Sequence, residues 1–231
     1  MKFEWQIDIS KYLERLEINQ EELSLRLRLP EVKAVNQVIP LRDIIDIDSI
    51  MPLHKNWIHH IVRHITTLDG QHPFTKAKFQ MVKVDPRHLK IGQRFVYREN
   101  YQALLEMVPN VFHEFLVTNG GLSDLGAYFV FGRDENDIYS LATYLPPLIE
   151  LHGSNLVIMD GIHRNYIAKQ MGTTLNAILL TEIDIPFPCG PRDWSEIEII
   201  SLEDKPKDIN NRYFDLNKDL FRDLKYLGID G

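Results

Sequence analysis

The amino-acid sequence predicts an α+β protein, on three observations. Residues 156–183 read as strand, glycine turn, helix and strand, with apolar runs at 156–159 and 175–183 enclosing a helical pattern. The opening residues carry apolar side chains at helical spacing, as at Ile9, Tyr12, Leu13 and Leu16. Short apolar runs at 79–84, 127–131 and 197–202 read as further strands.

The chain of 231 residues is long enough for one large domain or two small ones, and no apolar run reaches the length that spans a bilayer. Met1-Lys2-Phe3-Glu4-Trp5 does not open a secretory signal, so a cytoplasmic location is expected. A lone cysteine, Cys189, excludes an internal disulfide and a multi-thiolate zinc site. The net charge of −7 argues against a general nucleic-acid binder. From His54 to Arg98, however, nine Lys or Arg residues face two acids, Asp69 and Asp85, a local balance of +7. That stretch either attracts a polyanion or packs against the acidic remainder.

Taken in order, residues 1–72 are expected to be mainly helical. Asn19 to Leu27 resembles the opening helix of a helix-turn-helix, but Arg28 holds the turn-glycine position and Pro30 follows. A strand competes there, because Leu23, Leu25, Leu27 and Leu29 alternate with period two. Over 55–68, Trp57, Ile61 and Ile65 form a helical stripe. His60 and His64, four apart, have the spacing to share a metal, with no third ligand in sequence. Asp69-Gly70-Gln71-His72-Pro73 marks a turn and a domain boundary. A helix pair follows at 101–107 and 110–116, broken by Pro109, with Leu104, Leu105, Val108, Phe112 and Phe115 as its core face. Residues 133–137 read as a solvated acidic turn, since the spaced oxygens of a calcium loop are missing. Prolines 186, 188 and 191 make 184–192 irregular, with Cys189 an inert thiol, and 216–227 reads as an amphipathic helix.

The central stretch makes a chemical proposal. If Asp160 caps the helix, the amides of Gly161, Ile162 and His163 have no partner inside it, and with the helix dipole they form an anion site. Gly161 lets backbone approach a ligand, and His163 and Arg164 add donors. An Arg–phosphate contact contributes about 1.5–3 kcal/mol. Asp160 beside the anion is placed to hold Mg²⁺ or accept a proton. The plainer alternative makes Asp160 only a cap and His163-Arg164 solvated surface.

Asp160-Gly161-Ile162-His163-Arg164, with Pro146-Pro147 before it and Ala168-Lys169, Gly172 and Ala177-Ile178-Leu179-Leu180 after it, resembles the core of the ParB/sulfiredoxin-like superfamily. The likeness covers 37 residues, 146–182. Lys83 to Gln93 is similar to that superfamily's first strand and loop, which implies that Arg87, Lys90 and Arg94 lie where family members contact a nucleotide. The superfamily includes chromosome-partition proteins that bind CTP, sulfiredoxins that use ATP, and an ADP-dependent kinase of free serine. Sulfiredoxins carry their catalytic cysteine where Ile162 stands, so the resemblance excludes their reaction. Partition proteins typically show Gly-Glu-Arg-Arg at the turn, and this sequence is nearer the kinase-like form.

The resemblance implies a mixed sheet and a site that binds a nucleoside di- or triphosphate with Mg²⁺. Gly161, Ile162, His163, Arg164, Arg87 and Lys90 would hold the nucleotide, Asp160 and His163 would be catalytic, and Asp160 the metal ligand. The implied activity is nucleotide-phosphate binding, extending to small-molecule phosphotransfer. Two alternatives stay open: a DNA-associated regulatory or partition-like protein that senses a nucleotide, and a scaffold whose turn takes no ligand. The expected division is a helical region at 1–72, the nucleotide-binding domain at 73–202, and a linker and helix at 203–231.

Overall fold

A computed structural model of the chain describes residues 5–28, 35–106 and 124–230. The protein is α+β, with short helices and several sheets. Two compact units divide the chain: residues 1–66, 126–145 and 223–231 form the first, and residues 67–125 and 146–222 the second. Among the described residues no helix is long and apolar enough to cross a membrane.

In the first unit, the helix Ile9–Arg15 starts at Asp8, whose carboxylate accepts the Ser10 amide at 2.8 Å. It buries Tyr12 and Leu13, with Leu16 just beyond its end. Asn19 caps the helix Gln20–Leu27 by accepting the Glu22 amide at 2.7 Å. Leu23 and Leu27, one turn apart, are buried while Leu25 is 78% exposed, so the helical period prevails over the alternating one. The strand Gln37–Val38 comes next in the described chain. A second helix of the helix-turn-helix reading would fall largely on 29–34, outside the described residues.

The helix Lys55–Arg63 is shorter than its sequence pattern suggests and buries Trp57, Ile58, Ile61 and Val62. His60 Nε2 lies 2.7 Å from the Leu16 carbonyl and His64 Nδ1 2.7 Å from the His60 carbonyl. Each histidine thus commits one ring nitrogen to a backbone carbonyl. Among the described residues no group of three or more His, Cys, Asp or Glu is placed to hold a metal ion.

The mainly helical 1–72 needs correction, because the same stretch supplies three strands to a mixed sheet. Asp46–Pro52 pairs antiparallel with Tyr128–Arg133, which turns back into Tyr139–Tyr144. Gln37–Val38 and Ile229–Asp230 run parallel to Tyr139–Tyr144, and Ile7–Asp8 runs antiparallel to Gln37–Val38. Hydrogen bonds thus carry 128–144 into the same unit as the N-terminal strands. The units therefore differ from the contiguous division at 72 and 202. The 133–137 turn is as predicted, except that Asp134 is buried and accepts from the Asn136 and Ile138 amides and from Gln37.

In the second unit, five strands lie in the order Lys78–Val84, Leu175–Thr181, Leu148–His152, Asn155–Ile158, Lys90–Ile91. Leu148–His152 and Asn155–Ile158 form a hairpin, and Leu175–Thr181 returns parallel to Leu148–His152 after the helix Ile162–Gln170. Ile162 and Ala168 pack that helix onto Val84, Ile91, Ile149, Ile158 and Trp194. The basic stretch is largely matched by acids: Lys76, Lys78, Lys83, Arg87 and Lys90 meet Asp184, Glu182, Asp124, Asp85 and Asp193 at 2.6–3.4 Å. Exposed pairs of this kind contribute little to stability.

Residues 98–106 are helical, with Leu105 48% exposed rather than in the core, and the second helix of the expected pair lies outside the described residues. Residues 216–227 do not form the expected helix. Arg222 is extended and buried, its guanidinium bonded to both oxygens of Glu150 at 3.0 and 2.9 Å and to the carbonyls of Ile185, Pro186 and Leu220. Short 3-10 turns flank it, capped by Asn217 and Asp223. Those contacts outweigh the leucine spacing.

Candidate functional site

The turn at 160–164 forms where two amides, of Met159 and Asp160, converge on the Leu148 carbonyl at 2.9 and 3.2 Å and end the hairpin strand. Gly161 then turns the chain with φ 83° and ψ 33°, and the helix starts at Ile162. A Cβ built on Gly161 would stand 2.9 Å from Arg164 Nη2 and from Cβ and Cγ of Pro147, so both backbone conformation and space require glycine. At the far end Gly172, φ 64°, stops the helix as predicted.

Asp160 is not the helix cap. Gly161 holds that position with no side-chain cap bond, and its carbonyl accepts the Asn165 amide and Asn165 Nδ2, both at 3.0 Å. The Asp160 carboxylate instead accepts Arg164 Nη2 at 2.9 Å and the Gly161 amide. The two side chains of this ion pair are 9% and 5% exposed. Burial lifts the Asp160 pKa above the ordinary carboxylate value, against the pull of Arg164 and the amide. Arg164 is therefore paired from within the turn, and an anion reaching it has to part it from Asp160.

His163 is also engaged. Its Nε2 accepts the Tyr97 amide at 3.1 Å, which places the proton of the neutral ring on Nδ1. Burial, then the charges of Arg164 and Lys205, hold its pKa down to about 4. With its lone pair occupied, His163 is not poised to take a proton from a substrate. Ile162 turns its side chain into the core. Lys90 lies beside Val157 in the sheet, which brings 87–90 next to the hairpin. Arg87 and Lys90 nonetheless bond to Asp85 and Asp193.

The structure adds residues that the sequence did not single out. Tyr97 lies with its ring 5.9 Å from that of His163, and Lys205 Nζ is 5.2 Å from the Tyr97 ring centre. Among the described residues the Tyr97 hydroxyl and Asn165 Oδ1 are buried with no hydrogen-bond partner. Tyr97 is remote in sequence and Lys205 sits in a uniformly polar stretch, so neither carries a local signal. Family models, curated proteins and solved structures give no match to this chain.

Proposed function

We propose that the second unit is a nucleotide-phosphate-binding module of ParB/sulfiredoxin type, in which a nucleoside di- or triphosphate with Mg²⁺ settles at the 160–164 turn. The observation that carries the reading is Gly161, whose left-handed backbone leads straight from strand into helix with no room for a side chain. Such a turn aims the first helical amides at one place, where negative oxygen is favoured. The buried Tyr97 hydroxyl, short of a partner among the described residues, lies on the residue whose amide holds His163. Asp160 and Arg164 suit a ligand that carries both signs: Asp160 would take the metal and Arg164 the phosphate once they part.

Binding is proposed ahead of catalysis, because the lone pair of His163 is committed to Tyr97. Phosphotransfer to a small hydroxylated molecule would need Asp160 as the base in place of its role as metal ligand. The internal partners of Arg164 and His163 favour a second reading, a structural joint that keeps the shape of the turn without a ligand.

Thermal unfolding with ATP, ADP, CTP and GTP, each with Mg²⁺, separates the two. Binding at a hundredfold excess over Kd stabilises by about 2.7 kcal/mol, and Arg164→Ala should abolish that gain. If no nucleotide raises the melting temperature, the joint is the correct reading.

A further inference from the structure

We infer that a ledge of aromatic rings beside the 160–164 turn receives the base of the nucleotide by stacking; this rests on the phosphate-binding reading above. Tyr166 follows His163 by three residues, so the two project from one side of the helix, about 4.5 Å apart along its axis. The Tyr166 ring lies 6.3 Å from that of Tyr101 at 63°, and 6.3 Å from that of Trp194 at 43°. Trp194 is fixed from behind: it is buried, and its Nε1 donates to the Pro86 carbonyl at 2.7 Å. Lys169 Nζ stands 5.7 Å from the Trp194 ring centre.

Tyr101 and Tyr166, by contrast, are only half-buried. The aromatic surface therefore begins in the core and ends in solvent, one helical step from the residue that borders the phosphate turn. Rings held in place and partly exposed are the means by which proteins stack nucleobases without reading their edges. The ligand class is accordingly a nucleoside phosphate of relaxed base identity, in which purines gain more than pyrimidines from their larger face.

Calorimetry on the full chain with Mg²⁺ tests this, using ATP, CTP and tripolyphosphate against wild type, Tyr166→Leu and Tyr101→Leu. ATP should bind about tenfold more tightly than tripolyphosphate, with CTP between them, and Tyr166→Leu should bring ATP close to tripolyphosphate. Equal affinity of ATP and tripolyphosphate in the wild type overturns the ledge and leaves phosphate binding standing. Binding of neither removes the phosphate reading itself, and the ledge with it. Should Tyr166→Leu fail to fold, Tyr101→Leu decides: an undiminished advantage of ATP there overturns the inference.

Discussion

Replacing Gly161 by alanine adds one carbon where the hairpin strand passes into the helix, and its effect can be worked from the geometry. At φ 83° an L-residue is about 1–2 kcal/mol worse than glycine. The new Cβ also falls 2.9 Å from two carbons of Pro147 and from Arg164 Nη2. Relieving such overlap in a packed site costs typically about 1–3 kcal/mol, so the whole substitution should destabilise by about 2–5 kcal/mol. Gly172→Ala is the control, because Gly172 has φ 64° but no described residue within 4 Å of its Cβ position. It should lose only the conformational part. Urea unfolding followed by far-UV circular dichroism, with both variants in one series, reads the difference. Equal losses for the two would refute the claim that Pro147 and Arg164 close over Gly161.

Three further outcomes follow from the same structure. His163 has a pKa near 4 when folded against an ordinary 6.5, so in that window the unfolded chain binds a proton that the folded chain does not. Stability should fall as pH drops from 6.5 towards 4, by about 3 kcal/mol from this residue, and an acid limb unchanged in His163→Gln would contradict it. Arg222→Met leaves Glu150, fully buried, without its guanidinium and should cost about 3–5 kcal/mol, while Glu150→Met with Arg222→Met should recover much of it. Chemical denaturation of the two variants measures both. Burial pushes the Cys189 thiol up to about 12 and leaves it 8% exposed, so a disulfide reagent should label it only in urea; rapid labelling of the native protein would disprove that.

Local signals made the centre of the chain legible. The apolar strands, the glycine that turns out of one and the glycine that stops the helix each depend on neighbours a few residues away. Asp160 and Arg164 were legible as a pair of functional types, yet their spacing of four is also the spacing at which opposite charges meet along a helix. The sequence presents both uses at once, and burial decides that they meet each other. The Tyr97 amide on His163 spans 66 positions, and the strand Asp46–Pro52 finds its partner at 128–133. Contacts of that range leave no local pattern. The leucines of 216–227 do form a helical pattern, but one buried arginine drawn to Glu150 overrides it.

The internal pairing sets a condition on any ligand of the turn. With both side chains nearly sealed from water, neither charge is tolerable alone, and removing one partner of such a pair costs about 3–5 kcal/mol. A bare polyphosphate that captures Arg164 would strand Asp160 beside its own negative oxygens. A polyphosphate with Mg²⁺ gives each residue a partner of opposite sign, so the pair can part without leaving a buried charge. On the proposed phosphate-binding reading, tripolyphosphate should therefore bind the wild type at least tenfold more tightly with Mg²⁺ than with the metal chelated. Asp160→Asn removes the stranded charge and should narrow that ratio, because Arg164 then meets the anion with no carboxylate to displace. Calorimetry on both proteins, with and without chelator, gives the two ratios. If the wild type takes metal-free tripolyphosphate as tightly as the magnesium form, the Asp160–Arg164 pair is not what an anion has to open.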